Sequence, residues 1–150
     1  MAPDFSEIIL SIEEREHVRL LAMKEQAASS PLSPGKWSRK EILGHLIDSA
    51  SNNHQRFVRA QLDDKLDFPE YVQTDWVEVQ DYADESWALL VDLWSAYNLH
   101  LAHVVANIPP EKLDATCRVG SGDPVRLEDL IAKYVEHMEH HLAQISGSVD

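Results

Sequence analysis

A chain of 150 residues is long enough for one domain with its own core, needing neither disulfides nor a structural metal to fold. With 44% hydrophobic against 26% charged residues and 5 Gly, and no apolar run of bilayer length, the composition excludes a disordered chain and a membrane-spanning one. The formal charge of -13, from 26 acidic and 13 basic residues with no basic stripe, opposes contact with phosphate backbones and excludes nucleic acid as the expected partner.

The opening "MAPDFSEIIL" lacks a basic flank, an apolar segment and a small-residue cleavage site, so no export signal is expected and the compartment reads as cytoplasmic. The single cysteine, Cys117, has no internal disulfide partner. It fits a reducing environment and reads as an unpaired loop thiol.

In chain order, the first helical segment runs from about Ser6 to Ala28, with Ile8, Ile9, Ile12, Leu20 and Met23 toward one side, and "SSPLSPGKW" breaks it. Ser38 and Glu41 then form an S-x-x-E capping box, and Trp37 can staple onto Ile42. That helix extends to about Leu62. At about 100° per residue, Leu43, Leu46, Ile47, Ala50, Phe57 and Val58 group on one side, and Glu41, His45, Asp48, Asn52 and Arg56 on the other. Asp63 to Tyr82 is acidic and aromatic without a sustained period, which predicts a long ordered loop holding at most a helical turn, of a length that tends to carry function. The third long helix, Asp84 to about Asn107, repeats Trp87, Leu90, Val91, Trp94, Tyr97, Leu101 and Val104 and stops before Pro109 and Pro110. His100 and His103 fall outside this stripe, on an expected solvated edge. "CRVGSGDPV" can turn as a small hairpin, and the last helix begins near Arg126. No repeat appears, and four helices in a chain of this size point to a helix bundle.

In the last helix Leu127, Leu130, Ile131, Tyr134, Val135, Met138, Leu142 and Ile145 define the buried arc, with His137 at its margin, His141 inside it and His140 on the polar side. His137 and His141 stand one turn apart on the same face, close enough for both to hold one cation. Two histidines at this spacing also arise by chance, and a lone buried histidine is more often hydrogen-bonded core. His45 is the natural third ligand. Its helix carries the polar stripe of Asp48, Asn52 and Arg56, although any surface helix has a polar side and periodicity does not choose between the two.

The segments "GKWSRKEILGHLIDSASNNHQRF" (Gly35 to Phe57) and "YVEHMEHHLAQI" (Tyr134 to Ile145) together resemble the DinB/YfiT-like superfamily of metal-binding four-helix proteins. The resemblance spans nearly the whole chain, since the third helix and the acidic loop with Trp76 also fall where the family has theirs. It implies an all-α fold, a four-helix bundle with long connecting loops, in one domain over residues 1–150. It also implies that the family's metal ligands correspond to His45, His137 and His141.

Three neutral imidazoles leave one or more coordination positions open, as in a reactive site, and water or a thiol placed there loses its proton more readily. Imidazole suits zinc or nickel, with iron or manganese also accommodated. Asp48, one turn beyond His45, can accept a hydrogen bond from an imidazole or from water at the ion, and Asn52 and Arg56 extend that line toward an anionic substrate group. An ordinary helix-surface ion pair explains Asp48 and Arg56 equally. Trp76 reads as a packing aromatic that can also close the pocket.

Similar family members with assigned activity are thiol-dependent transferases or isomerases using bacillithiol, mycothiol or glutathione, and others are provisionally described as metal-dependent hydrolases. The resemblance therefore implies first a metal-dependent transferase that activates a low-molecular-weight thiol toward an electrophile, in stress response or detoxification. Water in place of the thiol makes it a hydrolase, and a metal-stabilised binding module without turnover is the non-catalytic alternative. The implied partners are a small-molecule thiol and an electrophilic substrate, without nucleic acid or membrane. Two-fold pairing in the family manner would give a homodimer, which periodicity does not read.

Overall fold

The computed structural model of the protein describes residues 3–63 and 65–147. In chain order the elements are α1 (Phe5–Leu21), α2 (Glu25–Ser29), α3 (Arg39–Leu62), β1 (Lys65–Phe68), α4 (Gln73–Gln80), α5 (Trp87–Ala106), β2 (Thr116–Val119), β3 (Val125–Arg126) and α6 (Leu127–Ser146). Single 3-10 turns lie at Tyr82–Asp84 and Pro110–Lys112.

The first helical segment is shorter than its pattern predicts. It stops at Leu21, and the chain turns before starting again as α2. Tertiary partners on α5 and α3 decide the break. Trp87 Nε1 donates to Leu20 O at 2.8 Å, Trp87 N donates to Glu25 Oε2 at 2.9 Å, and the buried Lys40 ammonium donates to Glu25 Oε1. The Lys40 bond and then the Trp87 amide hold the Glu25 carboxyl below its ordinary pKa.

Helix α3 starts as its sequence dictates. Ser38 Oγ accepts from Glu41 N at 3.2 Å and Glu41 Oε1 accepts from Ser38 N at 3.0 Å, so two N-terminal amides that the helix leaves unpaired gain partners. Helix α5 begins three residues later than its periodicity suggests, because Ser86 Oγ accepts from Leu89 N at 3.3 Å and fixes the start there. The 3-10 turn occupies the residues before it.

Residues 65–82 hold more structure than the expected loop. β1 pairs in parallel with β2, from Lys65↔Thr116 to Phe68↔Val119, and α4 adds eight residues of helix. A four-residue strand whose partner lies some fifty positions onward has no local period to announce it. The hairpin is present as expected, with Thr116↔Arg126 and Cys117↔Val125 antiparallel. Cys117, however, is no loop thiol. It lies on β2, fully buried, and burial pushes its pKa up, which makes it a small core hydrophobe.

The four long helices close a ring: α1 packs on α5 and α6, and α3 packs on the same two from the opposite corner. This is a four-helix bundle, with the three-stranded sheet as a minor addition against α3 and α6. Phe57, Trp94, Leu43, Leu90, Leu101, Ile131 and Met138 fill the interior, all with under 3% exposure. Each such side chain contributes about 1.5–3 kcal/mol by leaving water. Val58, expected on the apolar side of α3, is 37% exposed and stands at the edge of that arc. Among the described residues no helix is long and apolar enough to cross a membrane.

Candidate metal centre

The contact between α3 and α6 brings together residues 92 positions apart. His45 Nε2 stands 2.9 Å from His137 Nε2. The three ring centroids of His45, His137 and His141 form a near-equilateral triangle: 4.8 Å from His45 to each of the others and 4.5 Å between His137 and His141. One nitrogen from each ring lies within 4.8 Å of the other two. Among the described residues this is the one group of three or more histidine, cysteine or carboxylate side chains so arranged.

Helix spacing explains the α6 pair, since residues four apart share a face. The capping box fixes where α3 begins, and the packing of α3 on α6 brings His45 against the α6 pair. His140 points away and is exposed, although its ring lies 5.2 Å from that of His141. His100 and His103 lie exposed on the outer edge of α5, as their place outside the stripe predicts.

An ordinary core histidine gives each ring nitrogen a hydroxyl, carbonyl or water. His45 is 1% exposed, its Nε2 faces another imidazole nitrogen, and its Nδ1 has no hydrogen-bond partner. Burial, reinforced by the neighbouring imidazoles, holds His45 down to a pKa of about 3 and His137 to about 4, and lowers His141 as well. All three rings are therefore neutral at pH 7, with lone pairs available. His141 Nδ1 lies 2.7 Å from Gln144 Oε1, so this nitrogen carries the proton and its Nε2 is the acceptor. Three neutral rings that each bring one nitrogen within 4.8 Å of the others, with His45 lacking any hydroxyl or carbonyl partner on either nitrogen, fit a divalent cation better than a structural histidine cluster.

Around the triad, Trp37 stacks its ring 5.2 Å from that of His45 at a 42° tilt. Asp48 is 2% exposed, but its partners differ from those expected. Oδ1 accepts from Tyr82 Oη at 2.6 Å and from Gln80 Nε2 at 2.8 Å, while Oδ2 has no partner. Burial raises the Asp48 pKa, and the bonds from Tyr82 and Gln80 oppose that. The phenol of Tyr82 is itself driven well above its usual range, by burial first and then by the Asp48 carboxyl.

Asn52 donates to the backbone carbonyl of Asp48 at 2.9 Å, turning its amide nitrogen onto its own helix. Arg56 is buried and makes no ion pair with Asp48, so the helix-surface pair considered for these residues is absent. Trp76 packs on Tyr71 with centroids 5.0 Å apart and is 37% exposed.

Sequence reasoning named the histidines and the α3 stripe but missed Tyr82, Gln80 and Tyr71. All three come from the segment read as a loop. The only local hint was the length of that segment. Gln144 stood in view three residues after His141, the spacing at which side chains on a helix meet.

The sequence pattern of the DinB superfamily matches residues 13–145. A protein of Halalkalibacterium halodurans, provisionally named a metal-dependent hydrolase, is 25% identical over 143 residues, covering 94% of this chain and 82% of its own length. One from Bacillus mycoides, named in the same way, is 23% identical over 128 residues, covering 83% and 72%. Among solved structures, YfiT from Bacillus subtilis superposes with a TM-score of 0.78 at 19% identity, over 96% of this chain and 81% of YfiT. It is described, again provisionally, as a metal-dependent hydrolase with an unusual four-helix bundle topology. At that identity the likeness is one of fold.

Proposed function

Because this chain belongs to the DinB superfamily, we propose that it is a metal-dependent enzyme in which His45, His137 and His141 hold one divalent cation and leave a position for a protic nucleophile. The observation that carries this reading is His45: a buried imidazole with one nitrogen unpartnered and the other 2.9 Å from a second imidazole. Zinc or nickel suits three imidazoles, and iron or manganese is compatible. A cation held there supplies a Lewis acid that lowers the pKa of water or a thiol in the remaining position.

The chain's own residues set the conditions for that chemistry. Burial keeps the three rings neutral, so no proton competes for their lone pairs at pH 7. Gln144 orients His141, and Trp37 covers one side of His45. Asp48 Oδ2, one turn from His45, offers an unengaged acceptor to a hydroxyl or N–H on a bound molecule.

Two reactions fit. The provisional names of the relatives favour water as the nucleophile, hence hydrolysis. The polarisable lone pairs of a thiol suit the same ion, which supports transfer of a low-molecular-weight thiol to an electrophile. Elemental analysis of purified protein, repeated on His45→Ala, tests the site: near one equivalent of metal in the parent and almost none in the variant is expected. Turnover assays with ester or amide substrates in water, against an electrophile plus thiol, separate the two reactions. Undiminished turnover after chelation would refute both.

A further inference from the structure

Among the described residues, three of the five buried side-chain nitrogens and oxygens without a hydrogen-bond partner stand on one line of α3: His45 Nδ1, Asp48 Oδ2 and Arg56 Nε. Steps of three, four and four residues put positions 45, 48, 52 and 56 on one face. The first belongs to a ring of the triad, whose other nitrogen, Nε2, faces His137. Arg56 is unexplained by the triad.

Arg56 is 8% exposed and lies over the Phe68 ring at 5.2 Å. Its one hydrogen bond runs from Nη1 to Asn53 Oδ1 at a long 3.5 Å. Among the described residues no carboxylate comes within 4.0 Å of it. Burial lowers its pKa, and the nearby Tyr71 phenol opposes that. A largely buried guanidinium whose Nε is out of reach of water and of any partner is costly, whereas its planar fork of donors matches a carboxylate in two parallel bonds. The single protein charge also favours a singly charged group over a dianion, which would remain half-neutralised.

The bond to Asn53 shows the side chain leaning back along α3 toward the histidines. With about 1.5 Å of rise per residue, the Cα atoms of His45 and Arg56 lie about 16 Å apart along the helix, and the long Arg56 side chain takes up part of that span.

We infer that the substrate is an organic acid whose carboxylate rests on Arg56 while its reacting end lies at the histidines, with Asp48 Oδ2 accepting from a hydroxyl or N–H between them. The inference rests on the triad being a metal centre for its second half, and on Arg56 alone for its first.

The test uses zinc-loaded protein titrated calorimetrically with 6-mercaptohexanoate, 6-mercaptohexanol and 6-mercaptohexyl phosphate, probes that share a zinc-binding thiol and differ at the far end. The acid is expected to bind at least about ten-fold tighter than the alcohol, the effect of one charge-assisted pair. In Arg56→Met that ratio falls to about one, with alcohol binding and zinc content unchanged. A parent ratio below two-fold, a ratio that survives Arg56→Met, or tighter binding of the phosphate overturns the assignment. The parent ratio needs no variant, so the test stands if Arg56→Met does not fold. If zinc or the alcohol does not bind, the metal reading has failed. Melting of metal-free protein with hexanoate then decides Arg56 by itself: a rise in Tm abolished in Arg56→Met supports the carboxylate site, and no rise in the parent refutes it.

Discussion

Gly44 precedes His45 and faces the ring of Tyr82. A Cβ built there would sit 2.2 Å from Tyr82 Cδ2, 2.4 Å from Cγ and 2.5 Å from Cε2, so Gly44→Ala forces the ring or α3 to move by more than an ångström. The ring cannot swing aside cheaply. Tyr82 is 4% exposed and its hydroxyl donates to Asp48 Oδ1 at 2.6 Å. Overpacking costs about 1–3 kcal/mol, and the lost bond to the buried carboxyl about 1.5–3 kcal/mol. The better helix propensity of alanine offsets about 1 kcal/mol. The net is a loss of about 2–5 kcal/mol, which at this chain length lowers Tm by roughly 5–15 °C. Thermal melts at fixed protein concentration, with chelator and with zinc, measure it. Combining Gly44→Ala with Tyr82→Ala gives a double-mutant cycle, in which the glycine substitution should become nearly harmless once the ring is gone. A Tm within about 1 °C of the parent, or full additivity in the cycle, would mean that the close packing of Tyr82 on α3 is wrong.

Other outcomes follow from the triad. Replacing His137 or His141 by alanine should weaken zinc binding by more than the roughly 100-fold typical of losing an outer partner; competition with a chromophoric chelator reads this, and unchanged affinity would exclude the residue as a ligand. Gln144→Ala, which removes the acceptor on His141 Nδ1, should cost about 10–100-fold in the same assay, and no change would show that His141 is oriented without it. The metal-free protein should gain stability as pH rises. His45 and His137 stay neutral when folded down to about pH 3 and 4, whereas the unfolded rings protonate near 6.5. The unfolded state therefore binds more protons between about pH 4 and 6.5, and stability is lost as pH falls through that window. Each ring contributes at most about 1.4 kcal/mol per pH unit, less for whatever solvent reaches it. The raised pKa of Asp48 works in the opposite direction. Urea unfolding at several pH values reads the net slope, and His137→Ala should flatten it; a slope indifferent to that substitution would contradict the assigned shift.

Local chemistry made the helices legible. A capping box at Ser38 and Glu41, apolar residues recurring every three or four positions, and prolines at 109 and 110 act within a turn or two of themselves, and the observed α3, α5 and α6 follow them closely. The α6 half of the candidate site was equally readable, because one helical turn suffices to align His137 with His141. What the sequence could not determine alone depends on partners far along the chain. The break after Leu21 requires Trp87 and Lys40, β1 requires β2, and Cys117 became core only when the sheet closed over it. The polar stripe of α3 was ambiguous for the same reason. On an isolated helix it would face water, and only the packing of α6 and of the segment carrying Tyr71, Gln80 and Tyr82 buries it. Burial then makes His45 a neutral donor of lone pairs and leaves Arg56 a cation without an anion among the described residues. Periodicity acts through covalent neighbours, whereas desolvation depends on everything folded around a group, and this is why the residue types were written in the chain and their chemistry was decided by the tertiary structure.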